Sequence, residues 1–227
     1  MPNAFPQGDF ATQDFIRMTD LKITKLHNAD TTIYLADVSP LSDASLYSDL
    51  YNSVSPARRQ KTDRLRFDKD KRLSLGAEYL FMTACKDFGV DYNTAELADN
   101  GYGKPVFRDV PIHFGLSHSE NFAMCVMSEK PVGCDIEKIK KADMRVAERF
   151  FTGCEFEFLL GISEENARNE EFYRLWTMKE SYIKWDGRGL EIPLNSFCVI
   201  GDDIPDGVDF FADRIGEYRF AVCSVTN

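Results

Sequence analysis

The stretch EFYRLWTMKESYIKWDGRGL, residues 171–190, has the spacing of one long helix that ends in a glycine-rich turn. Its apolar positions recur every three or four residues and form a stripe: Phe172, Leu175, Trp176, Tyr182 and Ile183. Gly187 and Gly189 follow the stripe, and glycines there can end a helix and let the backbone approach a ligand closely. This pattern predicts a core helix whose carboxyl end faces a binding site.

Lys179 falls on the centre line of that apolar stripe. Burying an ammonium group there without a partner would cost free energy. Glu180 lies at the edge of the stripe, with Lys184 one turn further on. We interpret Lys179, Glu180 and Lys184 as a cluster that binds an anion and a metal ion. The alternative is a lysine that extends past its apolar neighbours, beside an ordinary surface pair of Glu and Lys.

Residues 132–137, VGCDIE, have the composition of a strand with two carboxylates on one face. Because side chains alternate along a strand, Asp135 and Glu137 share a face with Gly133 and lie about 6–7 Å apart. Two carboxylates at that distance can converge on a hard cation, and Gly133 is expected to leave open space beside them. The alternative is a half-exposed strand with a polar face, because an isolated D-x-E pattern is common.

Two short segments before this strand are further candidates for ligand contact. LSHS, residues 116–119, joins two apolar strand candidates, and we expect Ser117 and His118 where a loop meets a sheet edge. Adjacent Ser and His rarely reach attack geometry, and the chain has no G-x-S-x-G sequence. Phosphate binding is therefore favoured over hydrolysis, with a plain connecting loop as the alternative. YGKP, residues 102–105, is by itself an ordinary turn with one lysine.

The rest of the pattern predicts an α+β protein built of two similar α/β lobes. Residues 1–25 are expected to form an irregular N-terminal extension, residues 26–129 the N-terminal lobe and residues 130–227 the C-terminal lobe. The predicted strands are 31–38, 112–116, 121–127, 132–137, 196–200 and 218–225, and the main predicted helices are 72–88, 143–151, 153–161 and 165–186. Thr152 and Glu155 have the spacing of a capping box at the start of the helix at 153–161.

Composition narrows the class of protein. The chain has 227 residues, of which 44% are hydrophobic and 28% charged, as in a packed soluble domain. A net charge of −10 argues against a general nucleic-acid binder. No apolar run approaches the roughly 18 residues of a membrane span, and the N-terminus does not have the pattern of a secretory signal. We therefore expect a cytoplasmic protein.

Local charge and cysteine spacing add two expectations. Residues 58–72 hold eight basic and three acidic side chains, so this stretch is either a solvated helix face or a seat for a compact polyanion. The six cysteines form no C-x-x-C pair and mostly lie in apolar runs. They are expected to be buried free thiols, with disulfides or a zinc site as the alternatives.

Taken in order, several segments resemble the surfactin-type (Sfp-type) phosphopantetheinyl transferases. They are GYGKPVF, HFGLSHSENFAMCVM, PVGCDIEKIK, AERFF, LWTMKESYIKWDGRGLEIPLNSF and AVCSV, and the likeness as a whole covers roughly residues 55–225. The resemblance implies a pseudo-dimer of two α/β lobes with coenzyme A in the cleft between them. It also implies a set of ligand contacts: magnesium at Asp135, Glu137 and Glu180; the phosphates of coenzyme A at Lys179 and Lys184; its 3′-phosphate end at Ser117 and His118; its adenine at Gly103, Lys104 and Pro105; and further positive charge from Arg72, with Arg58, Arg59 or Lys61 as other candidates.

The activity implied by the resemblance is transfer of 4′-phosphopantetheine from coenzyme A to a serine of an acyl or peptidyl carrier protein, with release of 3′,5′-ADP. Glu180 would act as general base and Lys184 would stabilise the leaving phosphate. The carriers would belong to fatty-acid, polyketide or nonribosomal-peptide synthesis, and the enzyme is expected to be a monomer. Two alternatives share some of these residues: a magnesium-dependent pyrophosphatase acting on coenzyme A or a nucleotide, and an inactive module that only binds carrier proteins.

Overall fold

The computed structural model describes residues 21–226, which contain nine strands and six α-helices. The strands are β1 (Ile23–Asn28), β2 (Thr31–Asp37), β3 (Leu97–Asp99), β4 (Pro105–Phe107), β5 (His113–Ser119), β6 (Phe122–Ser128), β7 (Val132–Lys138), β8 (Val208–Ile215) and β9 (Tyr218–Val225). The helices are α1 (Ala44–Ser53), α2 (Pro56–Asp63), α3 (Asp68–Asp87), α4 (Met144–Phe150), α5 (Gly153–Leu160) and α6 (Glu165–Asp186). Mixed helices and antiparallel sheets confirm the α+β class.

The first half of the described chain forms a four-stranded antiparallel sheet in the order β1-β2-β6-β5. A tight turn at Ala29, which has a positive φ of 47°, joins β1 to β2 and pairs Ile23 with Ala36. The expectation that residues 1–25 are irregular is therefore wrong for 23–25, which belong to β1; residues 1–20 lie outside the described part. Helix α3 packs on this sheet through Leu80 and Phe81, which are buried in the same apolar cluster as Tyr34.

The second half forms a three-stranded antiparallel sheet in the order β7-β9-β8, covered by α6. The predicted strand at 196–200 is wrong, and β8 was not predicted. Residues 196–200 have strand composition, but the backbone N–H of Val199 donates to the Glu155 carboxylate at 2.8 Å instead of to a neighbouring strand. The capping box of Thr152 and Glu155 at the start of α5 is confirmed.

The two sheets share one apolar core, because Val132, Cys134 and Ile136 of β7 pack with Ile33 and Met124 of the first sheet. This is the alternation predicted for VGCDIE, with Asp135 and Glu137 on the other face. Apart from β3 and β4, which pair with each other in a separate two-stranded sheet, the strands up to Ser128 belong to the four-stranded sheet and those from Val132 to the three-stranded sheet. The two-lobe division stays a prediction. No helix within residues 21–226 combines the length and the apolar character needed to cross a membrane.

The cysteine side chains agree with the prediction of free thiols. All six lie within residues 21–226, and none of them forms a disulfide there. Five are buried as predicted, and the prediction of burial is wrong for Cys154, which is exposed at the start of α5.

Candidate active site

The acidic face of β7 lies beside β5, and two serines of β5 hold its two carboxylates. The Ser117 hydroxyl donates to Oδ1 of Asp135 at 2.7 Å, and the Ser119 hydroxyl donates to Oε2 of Glu137 at 2.6 Å. The Ser117 oxygen also accepts the backbone N–H of Ile136 at 3.4 Å, and the Ser119 oxygen accepts the backbone N–H of Lys138 at 3.2 Å. The alternating serines of one strand therefore position the alternating carboxylates of the next.

Ser117 and His118 are predicted where a loop meets a sheet edge, and the structure corrects the loop part of this prediction. Both belong to β5, and the turn comes afterwards at Glu120, whose φ is 52°. The predicted sheet edge is right, because β5 is the edge strand of its sheet. Ser117 is buried and bound to Asp135, whereas His118 is exposed and lines a cavity. Their contact with a phosphate stays a prediction.

Helix α6 approaches β7 at Gly133, and this explains how helix and strand reach the same site. A Cβ added at Gly133 would lie 2.2 Å from the backbone oxygen of Ser181 and 2.2 Å from the backbone nitrogen of Trp185. The prediction of open space beside Gly133 is therefore wrong, since the helix backbone fills it. The absence of a side chain lets α6 pack directly on the strand beside Asp135.

The close packing of α6 brings Lys184 onto Asp135. The Lys184 ammonium donates to Asp135 Oδ1 at 2.7 Å and to the Ser117 hydroxyl oxygen at 3.0 Å. Glu180 lies one turn earlier on the same side of the helix and lines the same cavity as Asp135 and Glu137. The structure thus brings together at one cavity four residues that were selected from the sequence: Asp135, Glu137, Glu180 and Lys184.

The charges at this site influence one another. Burial raises the pKa of Glu180, and the neighbouring carboxylates of Asp135 and Glu137 raise it further, against the opposing effect of Lys184. Burial likewise raises the pKa of Glu137, partly offset by the Ser119 hydroxyl. Burial disfavours the charged form of Lys184, but Asp135, Cys134 and Glu180 together outweigh it and raise the pKa of the ammonium. Repulsion among the carboxylates would be relieved by a cation.

The donor set fits a hard divalent cation. Its three carboxylates offer only oxygen ligands, which magnesium prefers, and Oδ2 of Asp135 is buried without a hydrogen-bond partner. An acceptor left unpaired in the interior is costly, so a cation contact there is physically reasonable. Within the described residues, no three acidic, cysteine or histidine side chains converge closely enough to hold a metal ion as they stand. In this arrangement, the charge beside Asp135 is supplied by Lys184.

A cavity of about 680 Å³ extends from these carboxylates to α2 and α3. Arg58 and Lys61 of α2 line it, but Arg72 does not. Asp70, Ser74 and Ala77 line the cavity from α3; their spacing of four and three residues puts them on one helix face, and Arg72 falls on another. Arg58 and Lys61 therefore reach the cavity in the structure, and the contact of Arg72 with coenzyme A stays a prediction. Arg58 also forms an ion pair with Glu78 at 2.5 Å, which neutralises part of its charge.

A smaller pocket of about 250 Å³ adjoins the cavity and shares Pro105, Leu116 and Lys184 with it. Gly103, Lys104 and Pro105 form one of its walls, as the resemblance implied for an adenine site. The Lys104 ammonium is directed inward, where it donates to the backbone oxygens of Val132 at 3.1 Å and Trp185 at 3.5 Å. Burial lowers the pKa of this ammonium. Lys104 therefore ties the turn to β7 and α6.

The structure contradicts the placement of Lys179 among the phosphate contacts. Its side chain is 0% exposed, and its ammonium lies 2.8 Å from Oε2 of Glu155, which is also 0% exposed. It donates in addition to the backbone oxygens of Leu194 at 2.8 Å and Phe197 at 2.6 Å. An ammonium group has three donors, and all of them are used inside the C-terminal half. Neither predicted alternative, a ligand contact or a lysine reaching solvent, describes this buried ion pair.

Sequence reasoning missed several residues that build the site. Asn100 accepts the backbone N–H groups of Tyr102 and Lys104 and donates to the Gly187 oxygen at 2.9 Å, so it joins the turn at 100–104 to the end of α6. The sequence DNGYGK carries the signal of such an Asn-based turn. Trp176 lines the larger cavity although it was placed in the apolar stripe. Ser119 carried no signal of its own beyond its spacing of two from Ser117.

Comparison with known proteins agrees with this geometry. The sequence profile of the 4′-phosphopantetheinyl transferase superfamily matches residues 131–222, which include β7 and α6. A 4′-phosphopantetheinyl transferase of Bacillus subtilis is 35% identical over 187 residues, which are 76% of this chain and 82% of that protein. The 4′-phosphopantetheinyl transferase Sfp of Bacillus subtilis strain 168 is 36% identical over 184 residues, 75% and 82% of the two chains. The 4′-phosphopantetheinyl transferase gsp of Aneurinibacillus migulanus is 37% identical over 158 residues, 69% and 66% of the two chains. With this identity over most of its length, and with the acidic strand and the glutamate–lysine helix in place, the chain belongs to the 4′-phosphopantetheinyl transferase superfamily.

Proposed function

We propose that this protein transfers the 4′-phosphopantetheine group of coenzyme A to a serine of an acyl or peptidyl carrier protein and releases 3′,5′-ADP. Its relatives are named 4′-phosphopantetheinyl transferases. The observation that carries the proposal is that Asp135, Glu180 and Lys184 meet at one cavity that the basic residues Arg58 and Lys61 also line. Acidic groups for a cation and basic groups for phosphates are the two requirements of phosphoryl transfer.

Coenzyme A fits the cleft in two parts. The larger cavity presents Arg58, Lys61 and His118, which can hold the phosphates of the coenzyme. The smaller pocket is mostly apolar and is bounded by the turn at 103–105, where a planar adenine ring can lie against the backbone. Lys184 lines both parts, so the pyrophosphate between them would lie next to its ammonium group.

We place magnesium at Asp135, Glu137 and Glu180. Support comes from the unpartnered buried oxygen of Asp135 and from the raised pKa values of the two glutamates. When bound, the ion would neutralise negative charge on the pyrophosphate oxygens during transfer. Ser117 and Ser119 would keep the carboxylates of β7 in position, as they do in this arrangement.

The chain's own groups supply the proton transfer. The Glu180 carboxylate would accept the proton of the carrier serine as the serine oxygen attacks the β-phosphorus of coenzyme A. The bond from that phosphorus to the bridging oxygen breaks, and its electron pair leaves with 3′,5′-ADP. Lys184 would donate a hydrogen bond to the leaving phosphate oxygen. The raised pKa of Glu180 brings its basicity closer to that required at neutral pH.

The direct test mixes the purified protein with apo carrier proteins, coenzyme A and magnesium, and measures the intact mass of each carrier. The expected result is a carrier that gains one phosphopantetheine on its serine, together with one 3′,5′-ADP released. Release of 3′,5′-ADP without a modified carrier would instead establish a pyrophosphatase. Calorimetry showing no heat from coenzyme A with magnesium would favour an inactive carrier-binding module.

Two substitutions test the assigned roles. Glu180→Gln should bind coenzyme A but lose most transfer, because the amide cannot accept the serine proton; Glu165→Gln, at the exposed start of the same helix, is the matched control. Near-normal transfer by Glu180→Gln would remove Glu180 from the base role. Asp135→Ala should lose activity and magnesium stimulation together, and a variant that stays magnesium-stimulated would refute the metal assignment.

A further inference from the structure

Two cysteines of the C-terminal half lie in direct contact although they are far apart in the sequence. The Sγ atoms of Cys154 and Cys198 are 3.2 Å apart. Cys154 is exposed in the first turn of α5, whereas Cys198 is buried in the irregular segment that precedes β8. The Thr152 hydroxyl lies 3.1 Å from the sulfur of Cys154 and 3.8 Å from that of Cys198. The pair therefore combines an accessible sulfur with a sheltered one in contact with it.

We propose that Cys154 and Cys198 are a modification site at which a low-molecular-weight disulfide, such as glutathione disulfide, forms a reversible cross-link. A disulfide bond is about 2.0 Å long, so the two sulfurs need to approach by about 1.2 Å from their separation of 3.2 Å. The segment that carries Cys198 belongs to no strand or α-helix, so a shift of this size does not break a sheet or a helix.

The exchange takes place in two balanced steps. The Cys154 thiolate attacks one sulfur of glutathione disulfide, forms a mixed disulfide and releases one glutathione thiolate. The Cys198 thiolate then attacks the Cys154 sulfur, the Cys154–Cys198 bond forms, and the second glutathione leaves. The two protein thiols lose two protons and two electrons, and one glutathione disulfide becomes two glutathione thiols. Cys154 reacts first because its side chain is exposed, whereas Cys198 is buried and burial raises its pKa.

The neighbours of the two cysteines show what the cross-link would hold. Glu155 follows Cys154, and Phe197 and Val199 flank Cys198. Glu155 accepts the N–H of Val199, and the ammonium of Lys179 binds both the Glu155 carboxylate and the Phe197 oxygen. The disulfide would therefore join covalently two segments that a polar network already joins. Neither sulfur lines the cleft beside Asp135, and the cross-link is expected to stabilise the fold without blocking that cleft.

The test treats the reduced full-length protein with glutathione disulfide, quenches with acid, and labels the remaining thiols with N-ethylmaleimide under denaturing conditions. The number of labels should fall from six to four, the unlabelled protein should lose about 2 Da, and peptides containing Cys154 and Cys198 should be cross-linked. Dithiothreitol should restore all labels. The melting temperature of the cross-linked form should rise by about 5–10 °C, because the bond closes a long loop of the unfolded chain.

Two variants separate this cross-link from general oxidation. Cys198→Ser should stop at a glutathione adduct on Cys154, because the resolving thiol is missing. Cys154→Ser should keep its other thiols reduced, because Cys198 is buried. The proposal is overturned if the wild-type protein keeps six labels, ends as a stable glutathione adduct, forms its cross-link through another cysteine, or melts at a lower temperature once it is cross-linked.

Discussion

Substitution of Lys179 by methionine tests whether this lysine holds the core or binds the substrate. In the wild-type chain its ammonium is completely buried and binds Glu155 and two backbone oxygens. Methionine keeps much of the volume but leaves the buried carboxylate without its cation. Removing one member of a buried ion pair costs about 3–5 kcal/mol. With a urea m-value of about 2 kcal/mol per molar, the unfolding midpoint should move down by about 2 M.

The double variant Glu155→Gln with Lys179→Met provides the internal comparison. It removes both charges, so no buried ion remains unpaired, and the amide oxygen can still accept the Val199 N–H that Glu155 accepts in the wild type. Its loss in unfolding free energy should be smaller than the sum of the two single losses by about 2 kcal/mol, as is usual for groups in direct contact. This variant also keeps the test informative if Lys179→Met alone fails to fold.

The assays are urea unfolding followed by circular dichroism, and coenzyme A binding by calorimetry on the folded variants. We expect a large loss of unfolding free energy in Lys179→Met and a coenzyme A affinity close to wild type in the folded double variant. A Lys179→Met protein with wild-type stability and strongly weakened coenzyme A binding would refute the assignment. It would instead support the phosphate contact inferred from the sequence.

Three further substitutions address the packing, the basic wall and the pH response. Gly133→Ala should lower the unfolding free energy by about 3 kcal/mol in urea titrations, because the added Cβ would meet the backbone of α6 at 2.2 Å. The control Gly153→Ala should change the unfolding free energy little, because a Cβ at Gly153 would have open space around it. Equal losses in the two variants would contradict the argument. Lys61→Ala should weaken coenzyme A binding in calorimetry by several-fold, and Arg72→Ala should leave it unchanged, because Lys61 lines the cavity and Arg72 does not. The reverse result would support the contact of Arg72 with coenzyme A that the family resemblance implies. Two lysines hold the pKa of Glu120 at about 2, below its ordinary value of 4.5, so its contribution to stability is present above about pH 4.5 and is lost as the pH falls towards 2. Glu120→Gln should therefore flatten acid unfolding in that window, and an unchanged acid titration would contradict this.

The features that were predictable from sequence are those that depend on neighbours within one turn or one strand. The alternation in VGCDIE separates Cys134 from Asp135 because side chains alternate along any strand. The stop of α6 at Gly187 follows from the left-handed conformation that glycine adopts at a helix end, here with a φ of 86°. The capping box at Thr152 depends on a spacing of three residues. Each signal is complete within a short stretch of chain.

The features that failed depend on contacts between distant segments. Lys179 looked like a ligand contact because its partner, Glu155, lies 24 positions earlier, in a helix whose distance from α6 the sequence does not encode locally. The space beside Gly133 was predicted as open because the approach of α6 is a tertiary fact. Ser117 was expected where a loop begins, but β5 continues to Ser119 and the turn follows at Glu120, which has a positive φ without being glycine. In each case, one stretch of sequence is compatible with several surroundings.

Helix α6 connects the failed prediction of Lys179 to the successful grouping of Glu180 and Lys184. Successive residues of a helix are rotated by about 100°, so Glu180 and Lys184 lie within about 40° of each other and Lys179 points to another side. The ion pair with Glu155 fixes Lys179 in the core, and the contact at Gly133 fixes the distance from α6 to β7. Together they set both the rotation of the helix about its axis and its approach to the strand, so that Lys184 reaches Asp135 at 2.7 Å. The buried side of α6 at Lys179 therefore sets the orientation of Glu180 and Lys184 towards the acidic strand, and a variant that keeps this side buried without an unpaired charge, such as Glu155→Gln with Lys179→Met, should keep that orientation.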